Sequence, residues 1–447
     1  MGGNEIVADF IRDISWNDLP EEVHQKVKLC LLDTLGAAVG GTLTPVSKIT
    51  ANYIAKLWPG NEATILLYNA CSSAAGAALA NGYAANALDI DDDAKYTQGH
   101  PGAQIFPVSL AVSEKVNANG KEMLTAMVLG YEVAHRVGRC WHNHHKVYQA
   151  CGSWGSVVNA AIAAKLMRLS KKKIKNALGI AEYHAPNLPM MRDINTPTMV
   201  KHGIGWGAAT GIISAELAEQ GFTGIPSILG FKKYQDWVSD IGEKYIMVDG
   251  VHFKKYPSCK WGHPAFAAAS KLMHKYNIKI DDIAKIVVEG FHETVCLKIK
   301  HPRTEEEAQF SVAWPLAALL IDGELGPKQM LSHRYNDKKI LSLVNKIELV
   351  ESKEVDGLYS GIRENREEDP NAYWSAAVRI TLKNGQSFYS GITKYEELWE
   401  KGELEKKFRW ITSYVIDNER IEKLLDIVQN FENLSSVSKL VDLVRVP

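Results

Sequence analysis

The sequence predicts a mainly α-helical protein: a large all-helical domain formed by both chain ends, with a smaller α+β lid domain inserted between them. Helical spacing of apolar residues repeats through roughly the first 250 positions. Strand-like patterning is confined to the stretch after about residue 253, and helical spacing returns from about residue 395. The expected boundaries are 1–252 with 395–447 for the helical domain and 253–394 for the lid.

Each element has a local reason. Residues 21–39 carry apolar side chains at helical spacing and stop at Gly40-Gly41. Residues 72–88, 152–166 and 200–220 are rich in alanine and glycine. Small side chains let helix axes approach, so these read as buried helices packed on one another. Residues 122–139 and 171–182 read as ordinary amphipathic helices, the second capped by Ser170. In the second part, 286–291 and 347–352 read as strands. Residues 376–382 and 386–390 flank Lys383-Asn384-Gly385, a hairpin signal because Asn-Gly supplies positive φ angles. Helices over 264–276 and about 306–321 intervene. The charge-dense stretch 363–369 reads as an exposed loop. Helices over 418–430 and 437–444 close the chain.

Composition narrows the function class. The chain has 447 residues, enough for two or three domains. Its 51 basic and 52 acidic side chains nearly cancel, so no basic excess points to nucleic acid, and no strong field points to a membrane surface. No stretch reaches the roughly 18 apolar residues of a membrane span. The six cysteines are widely spaced and form no CxxC pair, which suits reduced thiols in a cytosol. The N-terminus carries acids and no apolar run, unlike a signal peptide. A cytoplasmic protein is expected.

Four segments concentrate polar chemistry. Residues 87–107 place Asp89, Asp91, Asp92 and Asp93 just after a buried helix, with His100 before Pro101-Gly102. Crowded carboxylates raise one another's pKa unless cations stand nearby. The alternative is a solvated acidic loop; the Gly and distal Glu of an EF-hand are absent. Residues 189–211 hold Arg192, Lys201 and His202 at the start of a small-residue helix. This reads as a carboxylate receptor or, alternatively, as a lysine reaching out to solvent. The glycines there do not spell a dinucleotide fingerprint. Residues 252–268 gather Lys254, Lys255, Tyr256, Cys259, Lys260 and His263 around one proline, where the two domains would meet. Residues 139–155 contain His142, His144 and His145, but no zinc spacing. They read as surface histidines in a loop, and no metal is expected.

These segments resemble the MmgE/PrpD family. The matching pieces are LLDTLGAAVGG, ANGYAANALDIDDD, HPGAQIFP, LTAMVLGYEVAHRVGR, TMVKHGIGWGAATG, FKKYPSCKWGHPA, FSVAWPLAALLIDGELG and KFRWITSYVID, in order along nearly the whole chain. The resemblance implies a helical domain built from both ends with an inserted lid, a homodimer, no obligatory cofactor and a site between the domains. It implies site residues Asp89, His100, Lys201, Lys254, Cys259 and Trp314, with Tyr256 and His263 close by. Asp93, Gln149, Trp314 and Cys259 stand where the family often has threonine, histidine, tyrosine and histidine. These departures count against cis-aconitate decarboxylation and weaken a strict 2-methylcitrate assignment.

The expected chemistry is proton transfer beside a carboxylate of a small di- or tricarboxylate. Charge developing on that carboxylate needs fixed cations, and Arg192, Lys201, Lys254, Lys255 and Lys260 are available. His100 is the expected base, with His263 and Cys259 as reserves. A 2-methylcitrate-type hydro-lyase is the first expectation. An iminodisuccinate-type epimerase, pairing Cys259 with His100, is the second. A non-catalytic polycarboxylate-binding relative is the third, and a metallo-hydrolase built on the aspartates and histidines the fourth.

Overall fold

The computed structural model describes residues 2–145, 147–359, 361, 373–397 and 399–446. The predicted loop 363–369 lies outside the described residues. Helices dominate, as the sequence predicts, and sheet is minor.

The small-residue helices are Ala74–Asn86, Cys151–Leu166 and Ile204–Glu219. The first two are apolar around the whole axis and buried almost throughout, the pattern of a core helix. Glycines set the spacing. A Cβ on Gly207 would stand 2.5 Å from the Gly152 oxygen, and one on Gly152 would stand 2.1 Å from the Gly203 oxygen. Backbone meets backbone there, so nothing flexible can yield.

Two helices differ from expectation. Gly120–His144 opens on a capping box of Asn119 and Glu122. It is a core helix rather than an amphipathic one, because every residue from Met123 to Gly138 is buried. Its charges are satisfied inside: Arg136 donates to Glu132 at 2.7 Å, and Glu132 also accepts the Met247 N–H. Lys171–Tyr183 does follow Ser170, but the serine side chain makes no capping bond. Only its carbonyl serves, accepting the Ile174 N–H.

The second hydrophobic core is built on a five-stranded sheet. Ile347–Glu351 runs parallel to Ile283–Gly290, which is antiparallel to Ser375–Leu382. Ser387–Tyr389 closes the hairpin across Gly385, whose φ is +89°; Asn384 does not take the positive φ expected of it, so the loop is a three-residue one with glycine alone left-handed. Helix His263–Tyr276 buries Phe266, Ala269 and Leu272 against Ile286, Val288, Val378 and Ile380. The helix expected over 306–321 is two helices, Glu305–Gln309 and Ala313–Asp322. Pro315 lacks an N–H and is tolerated only in a first helical turn, so the second helix restarts just before it.

The first core gathers Val7 to Phe253 together with Leu404 to Val444, so the C-terminal helices do return to the N-terminal ones. Lys407 on helix Glu403–Thr412 reaches Asp33 of helix Glu21–Gly41. The second core runs from Trp261 to Ile380 but also takes Ala150, Met190 and Ile194. One short antiparallel pair, Asp93–Ala94 with Val251–His252, ties the acidic loop to the approach to Lys254. Among the described residues no single helix is long and apolar enough to cross a membrane.

Candidate active site

The acidic loop is not solvated. Asp89, Asp91 and Asp92 are each at most 1% exposed, and only Asp93 is part-exposed. The chain turns sharply out of helix Ala74–Asn86 because Asp89 adopts φ +52°, a left-handed angle that aspartate tolerates better than most residues. Asn86 at the helix end donates to Asp91 at 3.0 Å, and the Asp89 N–H returns to the Asn86 carbonyl.

Cations from three distant segments meet this loop. Lys254, fully buried, places its ammonium 2.9 Å from Asp89 Oδ1 and donates to the Asp89 carbonyl. His100 Nε2 lies 3.2 Å from Asp89 Oδ1, and Nδ1 lies 3.3 Å from Asp91 Oδ2. The Nδ1 hydrogen is taken by the Asp92 carbonyl at 2.8 Å, which fixes the ring. Lys201, also fully buried, donates to Gln309 Oε1 at 2.6 Å and lies over the Phe310 ring. Gln309 is itself anchored to the Ala87 carbonyl at 2.8 Å. Among the described residues Lys201 closes no ion pair. It precedes the helix in a tight turn, Lys201–Gly203, and does not reach solvent.

The crowded carboxylates divide by environment. Burial alone would raise the Asp89 pKa, but Lys254, His100 and Lys201 outweigh it and hold that carboxyl well below the usual range. Burial pushes Asp92 up to about 8, with Asp33 and Asp91 adding to the rise. Its partners are the Tyr131 hydroxyl at 2.6 Å and the Gly102 N–H at 2.9 Å, at the start of helix Gly102–Val116. A side chain on Gly102 would collide with Thr34, Asp92 and Tyr131. Burial works against charge on His100 as well, yet Asp91 and Asp89 outweigh it and raise its pKa. The neighbouring carboxylates therefore favour the charged form of the expected base over its neutral form.

Of the reserves for a base, Cys259 is not poised, and His263, whose pKa burial lowers, has both ring nitrogens engaged by other groups. Burial pushes the Cys259 thiol up to about 12, so it is not a thiolate. His263 is fully buried between Glu397, 3.0 Å from Nδ1, and the Ser258 carbonyl, 3.1 Å from Nε2. Glu397 also accepts the Lys255 N–H and the Tyr395 hydroxyl, and Lys260 bonds both oxygens of Asp93 at 2.8 Å. This group clips the two cores together beside the site.

Several expected residues lie elsewhere. Arg192 is exposed on helix Met190–Asn195, whose other face sends Asp193 to His202. Trp314 is a core residue; its indole N–H donates to the Gln329 carbonyl, and its ring stands edge-on to Tyr335. Gln149 staples backbone, accepting the Leu188 N–H at 2.7 Å. Lys255 is half-buried with its ammonium over Trp399. Tyr256 packs edge-on against His263 and Phe266. His142 is a correction to the surface-loop reading: it is buried near the end of helix Gly120–His144 and bonded to the Thr97 carbonyl at 2.8 Å. His144 and His145 are exposed.

Sequence reasoning missed Gln309, Asp193, Glu397 and Cys151, whose sulfur accepts the His100 N–H at 3.2 Å. Asp193 and Cys151 sit inside two of the four segments singled out above, yet nothing in their spacing marked them; Gln309 and Glu397 lie among glutamates that read as a solvated surface.

Asp89, His100 and His202 each offer a ligand atom within 4.8 Å of the other two. Lys254 already pairs with Asp89, and Lys201 lies close enough to lower its pKa. Two ammonium groups against one carboxylate are a poor setting for a divalent cation. A surface cleft of about 740 Å³, lined by Ile11, Trp16, Lys115 and Lys165 among others, shares no residue with this cluster.

Comparison with known proteins gives the same direction. The MmgE/PrpD N-terminal domain model matches residues 5–240, and the C-terminal domain model matches residues 256–433. The chain belongs to the MmgE/PrpD family. Among its relatives are a cis-aconitate decarboxylase of Homo sapiens, 28% identical over 99% of this chain and 94% of that protein, and a cis-aconitate decarboxylase-like protein of Aspergillus oryzae, 23% identical over 98% and 96%. A cis-aconitate decarboxylase of Aspergillus terreus is 22% identical over 99% and 95%.

Proposed function

We propose that this MmgE/PrpD protein is a lyase of small polycarboxylic acids, and that it acts by decarboxylation. The observation that carries the reading is the buried Lys201, which closes no ion pair among the described residues, together with His100, whose pKa is raised by Asp91 and Asp89 against the effect of burial. A buried cation that closes no ion pair is suited to receive an anionic ligand. Lys201 and Lys254 hold substrate carboxylates and stabilise charge as it spreads through the departing system. Loss of carbon dioxide leaves a carbanion, and His100 supplies the proton that quenches it. Solvent then returns a proton to His100, so the reaction takes up one proton overall.

Decarboxylation needs an acid and no C–H base, which matches the raised pKa of His100 and the Cys259 thiol pushed up to about 12. Of the four family departures noted above, those at Gln149 and Trp314 count against cis-aconitate only if these side chains face the substrate, whereas those at Asp93 and Cys259 stand. Gln149 is bonded to backbone and Trp314 is buried in the second core, so their identity places little constraint on the reaction. The relatives' names support an unsaturated tricarboxylate. The hydro-lyase and epimerase readings need a base as well as an acid and rank behind. No cofactor enters this scheme.

The division of the chain at 253 and 395 and the homodimer are part of the same proposal. An exposed apolar stripe on helices Pro45–Leu57 and Ile204–Glu219 is the surface for the second copy.

Proton NMR in D₂O tests the chemistry with cis-aconitate, 2-methylcitrate, citrate and iminodisuccinate. The expected result is carbon dioxide release from cis-aconitate with one deuterium in the product. Loss of water from 2-methylcitrate without carbon dioxide would assign a hydro-lyase instead. Inertness toward every acid would leave the binding-protein reading.

A further inference from the structure

His202 has no part in the scheme above, yet it is among the most constrained side chains of the molecule. It is the middle of three successive left-handed residues, Lys201 at φ +41°, His202 at +57° and Gly203 at +62°. Non-glycine residues persist there only when their surroundings hold them, and such strain gathers at functional sites. The holder is Asp193. Its Oδ2 accepts the His202 backbone N–H at 3.0 Å and lies 2.8 Å from ring Nδ1. One carboxylate oxygen thus bonds the backbone N–H and stands within ion-pair range of ring Nδ1, while Nε2 makes no hydrogen bond among the described residues.

The ring is aimed at the site. It lies parallel to His100, 4° between planes and 5.5 Å between centroids, and stands edge-on to Phe310. A ring nitrogen of each histidine and an oxygen of Asp89 fall within 4.8 Å of one another. An oxygen atom accepting two hydrogen bonds of about 2.8 Å bridges nitrogens at that separation.

We propose that His202, oriented by Asp193, is a second imidazole on the substrate, sharing one carboxylate oxygen with His100. The groups facing it are Asp193, Asp89, His100 and Lys201, with Phe310 closing the apolar side. This proposal rests on the reading that the site takes a polycarboxylate.

The test is binding of tricarballylate, a saturated tricarboxylate, to the full chain by calorimetry. Two variants separate the ring nitrogens. His202→Asn keeps a donor where Nδ1 stands and removes Nε2; His202→Gln reaches the position of Nε2. The expected result is a roughly 10–100-fold weaker Kd for His202→Asn, with Tm unchanged, and recovery to within about threefold of wild type by His202→Gln. The reverse order, with Asn equal to wild type and Gln impaired, would make His202 only a structural clip for Asp193. Equal binding by all three proteins would also overturn the proposal. Absence of binding by the wild type is a different failure, since it removes the polycarboxylate reading itself.

Discussion

A buried ammonium that closes no ion pair is a standing cost to the fold, and among the described residues Lys201 is such a group. Lys201→Met removes that charge from nearly the same volume. It also orphans Gln309 Oε1, an unsatisfied carbonyl worth about 1–3 kcal/mol. The two effects oppose, so Tm should stay near the wild-type value while kcat/KM for a tricarboxylate falls by about 100-fold or more. Calorimetric Tm and steady-state kinetics check this; a large drop in Tm with activity retained would make Lys201 a structural residue. Asp92 gives a pH dependence with a definite sign. Its carboxyl is near the usual range in the unfolded chain and rises to about 8 in the folded one. Between those values unfolding releases a proton, so this group erodes stability as pH climbs from about 4 to about 8. Asp89 acts oppositely in a lower window. Its carboxyl is held down on folding, so it stabilises above its unfolded pKa, and that stability is lost as pH falls through its folded value. Asp92→Asn keeps a carbonyl for the Gly102 N–H and an amide for the Tyr131 oxygen. It should be more stable than wild type at pH 7.5, by on the order of a few kcal/mol, and should flatten the fall in Tm between pH 4 and 8. A variant that keeps the wild-type slope would place that titration on another group.

At the scale of elements, what the sequence discloses depends on how local the cause is. The hairpin around Gly385 was legible because a single dipeptide marks the turn, although only its glycine takes a positive φ. The alanine- and glycine-rich helices were legible because small side chains have few other uses at helical spacing. Ser170 misled because a favourable cap residue does not guarantee a capping bond. Helix Gly120–His144 misled because its charged residues satisfy one another in the interior, which mimics a solvent face. The turn Lys201–Gly203 was invisible, since its left-handed angles are imposed by Asp193 and by packing rather than by a glycine at each position. The site follows the same rule. Asp89, His100, Lys201 and Lys254 lie in segments whose composition is unusual for structure alone, and all of them meet. Gln309 and Glu397 lie in unremarked helix and loop sequence and arrive through long-range packing, which no local pattern encodes. Trp314 and Gln149 were expected at the site only through the resemblance, and the fold gives both a structural task.

For the whole molecule, the proposed second copy would cover apolar residues left outside both cores. Ile49, Tyr53 and Leu57 recur every four residues along helix Pro45–Leu57, and all three are exposed. Trp206, Ile213 and Leu217 follow the matching stripe of helix Ile204–Glu219 and are exposed as well. Trp58 and Trp206 touch edge-to-face, ring centroids 6.4 Å apart, so the two stripes meet. Single exposed apolar residues are ordinary, but a run of large ones at helical spacing on adjoining helices marks an interface. The helix bearing the second stripe begins at the turn that holds Lys201 and His202, so an assembly through this face would buttress the strained part of the site. Trp206→Glu with Leu217→Glu places two charges in the centre of the patch and leaves the cores untouched. Sedimentation velocity should show a dimer for the wild type and a monomer for the double variant, with circular dichroism unchanged. If the double variant stays dimeric, the contact lies on another face; if the wild type is monomeric, the stripe has a different occupant. A monomer that keeps its secondary structure but loses affinity for tricarballylate would show that the dimer supports the left-handed turn, because neither substituted side chain belongs to the cluster around Asp89.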